Sequence, residues 1–151
     1  MKTESNTYPE KLKITKFNEE QKCVLIVDMD SVVEKTRDEE VYYEFDAFEM
    51  FTQATNEYIT EKVDELLELL KTKEYNDLAD AIREKRNRLL AESDKYMALD
   101  RLGLDTSSAI KFLASLKNVF QNNYAAYRQA LRDITDQPGF PYDVEFPEKP
   151  E

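Results

Sequence analysis

The chain has 151 residues, 35% of them charged and 41% apolar, with a formal net charge of −11. That is enough apolar material for one folded domain and too much for a wholly disordered chain. The acidity excludes a nucleic-acid binder, which needs a basic face, and disfavours anionic membranes and phosphate-rich ligands.

Histidine is absent, which removes the commonest general base and the commonest metal ligand. The single cysteine, Cys23, allows no intrachain disulfide and suits a reducing cytosol. Its place in the apolar run 23–27 reads as a buried, inert thiol. The N-terminus is polar, with no stretch long enough for a signal peptide or a membrane span.

Residues 1–10 read as an arm, loose or docked, ending at Tyr8-Pro9. Leu12, Ile14 and Phe17 then mark a short strand, and residues 18–21 a polar turn. Cys23 to Val27 is a continuous apolar run, the pattern of a buried strand. Val32-Val33 and residues 41–45 are further strand candidates, with residues 37–40 as a hairpin loop. After Val27 the chain reads Asp28-Met29-Asp30, a strand end with two solvated acids in a turn.

From Asp46 the period changes. Asp46 with Glu49 forms a candidate capping box, and apolar residues recur at three-to-four spacing from Phe48 to Leu70. A second helix is predicted from about Tyr75 to Ser93, antiparallel to the first across a short turn at residues 72–74. Residues 95–105 are looser and contain Gly103. Thr106, Ser107 and Ser108 offer caps for a third helix running unbroken to Ile134, roughly 40 Å at about 1.5 Å per residue.

That helix stops at Gln137-Pro138-Gly139, where Pro138 lacks an amide donor and Gly139 tolerates a left-handed backbone. Pro141, Pro147 and Pro150 hold the remainder extended. Phe140, Tyr142, Val144 and Phe146 alternate, so an extended arm presents them on one side. Two readings stand: the arm folds back on its own helices, or it docks into a partner.

Residues 127–133, Tyr-Arg-Gln-Ala-Leu-Arg-Asp, followed by Gln-Pro-Gly-Phe-Pro at 137–141, resemble the C-terminal signature of the bacteriophage tail assembly chaperone family. A second block, Arg-Asn-Arg-Leu-Leu-Ala-Glu-Ser-Asp at 86–94, resembles that family's upstream helix. The chain departs from the pattern at Lys95-Tyr96 and at Phe146, where the family carries Trp. The helical run 108–123 also lengthens the stretch between the blocks. The resemblance implies a non-enzymatic protein of the infected host cytoplasm that positions phage tail or tail-fibre proteins. A module retained in the virion as a tail or neck component is the variant of that reading. Phe140, Pro141, Tyr142, Val144, Phe146 and Pro147, with Tyr127 and Arg128 before them, are the candidate partner-binding residues. Arg128 and Arg132 otherwise pair with Asp133, Asp136 or neighbouring acids on an exposed face.

The other chemical signal is the run ending in Asp28-Met29-Asp30-Ser31. It resembles the first motif of haloacid-dehalogenase-type phosphatases, in which two Asp and Mg²⁺ act on a phosphate. That chemistry also needs a lysine and a later acidic pair on the ends of parallel strands. Residues 11–45 leave no room for the crossovers a parallel sheet requires. Asp28, Asp30 and Glu34 lack the glycine and spacing of a calcium loop. The alternative of an acidic nuclease inhibitor ranks low, because acids and bases interleave along the helices.

The expected fold is α+β. A small antiparallel sheet spans about 11–45, a mainly antiparallel three-helix bundle extends to 137, and an extended arm covers 138–151. No metal or cofactor is expected and no partner nucleic acid or membrane. Copies of the chain meeting along the third helix are a further expectation.

Overall fold

The computed structural model describes residues 2–97, 107–120 and 123–150, the side chains of 117–120 excepted. It contains two compact units, residues 1–74 and 75–151.

The first unit is built on a four-stranded antiparallel sheet in the order β1-β4-β3-β2. The strands are β1 (Lys2–Ser5), β2 (Leu12–Lys16), β3 (Lys22–Arg37) and β4 (Glu40–Thr52). Asn18 closes the β2–β3 turn: its Oδ1 accepts from the amides of Glu20 and Gln21 at 2.9 and 2.7 Å. At the other end of β3, Asp38 and Glu39 both adopt positive φ, 51° and 68°. That is the two-residue turn whose twist matches the flanking strands.

The run 23–27 is continuous because both faces of β3 are covered. On one face Val24 and Ile26 pack with Ile59 and Leu67, supported by Phe48, Met50 and Val63. On the other, Val27 meets Phe45 and Ala47, supported by Leu25 and Tyr43. The ring of Tyr8 stands edge-on to Tyr43 at 5.3 Å.

The α+β class and the N-terminal antiparallel sheet agree with the sequence reading, and four boundaries differ. Part of the predicted arm is β1, whose residues pair with 43–46 of β4. Asp28 is no strand end, because β3 continues through a bulge between residues 28 and 33. Ser31 fills that bulge: its hydroxyl donates to the Asp28 carbonyl at 2.6 Å and accepts from the Asp46 amide at 2.7 Å.

Asp46 is no helix cap. It lies inside β4, and Phe48 and Phe51, three apart, face opposite sides of the sheet opposite Ile26 and Cys23. The cap is Thr55, whose Oγ1 accepts from the Tyr58 amide at 3.3 Å ahead of α1 (Asn56–Glu61). Nor is there a turn at 72–74, since α2 runs unbroken from Val63 to Asp94. That segment has neither glycine nor proline, and Thr72 donates back to the Glu68 carbonyl at 2.8 Å, a bond compatible with a helix. The predicted antiparallel pair is therefore one helix.

Cys23 is half-buried rather than buried. Its Sγ donates to Glu49 at 3.0 Å, and that bond pushes the thiol pKa up, which keeps it protonated and unreactive.

The second unit takes residues 75–94 of α2 together with α3 (Ala109–Phe120), α4 (Asn123–Arg132) and a 3-10 turn (Asp133–Asp136). Ser108 is the cap of α3, accepting from the Lys111 amide at 3.3 Å. Thr106 and the loose segment around Gly103 lie outside the described residues. So do residues 121–122, through which the predicted unbroken third helix would pass. Ile110 and Leu113 of α3 are exposed.

Ile26 is fully buried between β3 and the helices of the first unit. Replacing it with alanine is expected to remove about 2–5 kcal/mol from that unit's stability, read by urea denaturation. A loss under about 1 kcal/mol would show that this cluster is not the core of the unit.

Candidate functional site

In the second unit the two sequence blocks come together through Arg128. Its guanidinium Nη1 donates to the Leu90 carbonyl at 2.8 Å, the Ser93 hydroxyl at 2.5 Å and Asp94 Oδ1 at 2.6 Å. The Ser93 hydroxyl itself donates to the Leu90 carbonyl at 2.7 Å, so the guanidinium joins an already bonded pair near the end of α2, where a cation also complements the helix dipole. Arg128 thus terminates α2 from α4. The expectation that it sits on an exposed face beside Asp133 or Asp136 is corrected: its side chain is only 15% exposed. Asp133 instead receives Gln129, at 2.8 Å.

Around this clamp Tyr124, Tyr127 and Leu131 of α4 pack with Leu89, Leu90, Tyr96, Met97 and Phe146. Tyr96 stacks on Tyr124 with ring centroids 4.2 Å apart, and the Tyr124 hydroxyl donates to the Pro150 carbonyl at 2.9 Å. Burial pushes the Tyr124 hydroxyl pKa up, whereas the Lys95 ammonium pulls that of Tyr96 down.

The segment after the 3-10 turn folds back on its own unit instead of running extended from residue 138. The Phe140-Pro141 peptide is cis. The Phe140 amide donates to the Gln137 carbonyl at 3.0 Å and the Asp143 amide to Gly139 at 2.7 Å. The Gln137 side chain then grips Glu145, donating to its carbonyl at 2.8 Å and accepting from its amide at 2.9 Å. Gly139 is required by close approach and not by a left-handed backbone. A Cβ there would stand 2.2 Å from the Asp143 carbonyl oxygen.

The candidate residues therefore divide. Tyr127 is buried and Arg128 nearly so; both hold the unit together. Pro141 is buried, while Val144 and Pro147 are half-buried. Phe140 lies edge-on to Tyr75 at 6.4 Å with the Arg83 guanidinium 5.7 Å from its ring centre. Phe146 carries the Lys85 ammonium 3.8 Å from its ring centre, a cation–π contact. Tyr142 is 63% exposed beside Tyr75, at 6.2 Å.

Sequence reading missed Tyr75, Arg83, Lys85 and Gln137 as the bed of this turn. The available signal was the position of Arg83 and Lys85 within the helix preceding the first block, too weak by itself to assign them.

The Asp28 region is a second candidate. Lys71 Nζ pairs with Asp28 Oδ2 at 2.7 Å, and the Asp28 side chain is 16% exposed. The bond to Asp28 raises the Lys71 pKa. Asp30 is exposed, and its amide donates to Asp28 Oδ1 at 3.3 Å. A lysine thus does face Asp28, but every strand of this sheet is antiparallel to its neighbours. The parallel strand ends that the phosphatase arrangement requires are not formed by it. Among the described residues, no group of three or more Asp, Glu, Cys or His side chains is placed to hold a metal. The pair joins α2 to the sheet.

Residues 79–151 match the family model for the phage tail assembly chaperone protein. The matched stretch begins near the start of the second unit and ends with it. Both blocks joined by Arg128 and the whole C-terminal turn fall within it. No curated protein and no solved structure matches the chain. None of the helices among the described residues is long and apolar enough to cross a membrane.

Arg128→Met leaves the Leu90 carbonyl and the buried Ser93 hydroxyl without their cationic donor. It is expected to cost about 2–3 kcal/mol in chemical denaturation. Asp94 is 66% exposed, so Asp94→Ala should cost below about 1 kcal/mol. Equal costs would place the weight on the ion pair instead.

Burial, with a smaller contribution from Glu92, pushes the Tyr127 hydroxyl pKa above its usual value. The unfolded chain then releases this proton at lower pH than the native one. The stabilisation is complete below about pH 10 and is lost as pH rises through the native value. Thermal melting of the chain should weaken above that pH, and Tyr127→Phe should flatten the decline. An unchanged decline in Tyr127→Phe would assign it to other groups.

Proposed function

We propose that this chain is a non-enzymatic bacteriophage tail assembly protein of the chaperone type, binding tail or tail-fibre proteins through its second unit. The observation that carries the reading is the overlap between the family match and a self-contained unit. The hydrogen bonds that close the C-terminal turn, from those of Gln137 to the Tyr124–Pro150 bond, lie inside the matched stretch.

The geometry suits a preformed binding surface. Gln137, Pro141 and Phe146 fix the turn before any partner arrives, so little conformational entropy remains to be lost on docking. Tyr142 stands out from that turn with Tyr75 beside it. A rigid, amphipathic tyrosine on a braced loop is a common anchor in protein interfaces. Phe140, Val144 and Pro147 form the remainder of the proposed face, while Tyr127 and Arg128 support it from below. The acidic body favours basic partners and keeps the free protein soluble. The site of action on this reading is the infected host cell.

The test is co-expression of the tagged chain with tail-tube and tail-fibre proteins of one phage, followed by quantitative affinity capture. The wild type is expected to retain at least one of them. Tyr142→Ala is expected to weaken retention by about tenfold, roughly the loss of one interface anchor, with an unchanged far-ultraviolet circular dichroism spectrum. Capture of none by the wild type would overturn the reading. So would Mg²⁺-dependent phosphomonoester hydrolysis abolished by Asp28→Asn.

A further inference from the structure

The β3–β4 hairpin outruns the rest of its sheet on one side. β2 pairs with β3 only over residues 22–26, and the Val27 amide donates to the Lys11 carbonyl at 2.9 Å. Beyond that point β3 continues to Arg37 paired with β4 alone. Residues 33–37 therefore present one strand edge with no neighbouring strand among the described residues.

The register says which groups lie on that edge. The two-residue turn at Asp38-Glu39 makes Arg37 and Glu40 the pair that exchanges both hydrogen bonds. Pairs alternate along an antiparallel ladder, so Lys35 with Tyr42 and Val33 with Glu44 are also bonded. Glu34 and Thr36, opposite Tyr43 and Val41, then direct their amides and carbonyls away from β4.

The hairpin's charges select what such an edge accepts. The two cations beyond its pairing with β2 are committed, Lys35 to Glu44 at 2.6 Å and Arg37 to Glu4 at 3.3 Å. Asp30, Glu34, Asp38, Glu39 and Glu40 have no ion pair among the described residues, and all are exposed. A second copy would set the same acids against each other, which opposes pairing between copies.

We propose that the free edge of β3 at Glu34–Thr36 binds an extended, lysine- or arginine-rich segment of a partner protein as an added strand. Backbone hydrogen bonds from residues 34 and 36 supply the attachment, and the unpaired acids supply the selection for basic sequence. This surface belongs to the first unit, outside the family match. Its identification with a tail-protein segment rests on the function proposed above.

The probe is a set of overlapping short peptides tiling the tail proteins of one phage, titrated against the full-length chain by fluorescence anisotropy. The expected binders carry net positive charge and have strand-forming sequences. Thr36→Pro removes an outward donor without touching a β3–β4 bond and is expected to weaken binding about tenfold. Glu34→Lys combined with Glu40→Lys should do the same and reverse the charge preference. The charge-reversal variant provides the reading if Thr36→Pro fails to fold. Binding by no peptide, a preference for acidic peptides, or equal binding by the edge variants would overturn the inference. If whole tail proteins are still captured through Tyr142 in that case, the proposed function stands and only the strand edge is rejected.

Discussion

Arg128 is the residue on which the second unit depends. Near the end of α2 the buried Ser93 hydroxyl donates to the Leu90 carbonyl at 2.7 Å, and the cation that bonds both groups comes from a helix more than thirty positions later in the chain. A neutral side chain could satisfy one of these groups, but a guanidinium serves both and adds a charge suited to a helix C-terminus. Once α4 is held against α2, Tyr124, Tyr127 and Leu131 have a surface to bury against. Phe146 of the C-terminal segment then packs against that cluster, with the Lys85 ammonium over its ring. Asp94, although it completes the clamp, remains in water and contributes less.

The two units solve burial differently. In the first, a sheet with apolar residues on both faces is covered by helices on one side and meets the Tyr8 arm on the other. In the second, aromatic rings dominate, and hydroxyls and cations are worked in among them: Tyr124 reaches a backbone carbonyl, and Lys85 and Arg83 lie near ring faces. Phenols and long cationic stems suit a small unit with a limited interior, because each buries apolar atoms while its polar end finds a partner or solvent. The same chemistry leaves Tyr142 outside, on a turn braced from within.

Much of this was legible in the sequence. The continuous run 23–27, the polar turn at 18–21 and the hairpin loop within 37–40 carry local signals that need no tertiary information. The proline-glycine stop after the last helix is equally local. What sequence could not separate was a strand from a helix where apolar residues crowd both faces. Phe48 and Phe51 fit helical spacing, yet they occupy opposite faces of β4. The missing break at 72–74 has a similar origin: polar residues in the middle of a helix resemble a loop unless glycine or proline is there to stop it. Arg128 was singled out through its motif, but its partner is set by packing between distant segments and left no periodic trace. The close Gly139–Asp143 approach and the Gln137–Glu145 bonds turned an expected extended arm into a folded one.

The central claim is that Arg128 holds α4 on α2 and thereby fixes the C-terminal turn in place. The Glu145 amide, which donates to the Gln137 side chain, reports on that turn without touching Arg128. Amide hydrogen exchange at Glu145 in the wild type and in Arg128→Met measures the linkage directly. Clear protection is expected in the wild type, and its loss in the variant, under conditions where the first unit stays folded. Protection that survives the substitution would show that the turn is held independently of the clamp, and would contradict the account.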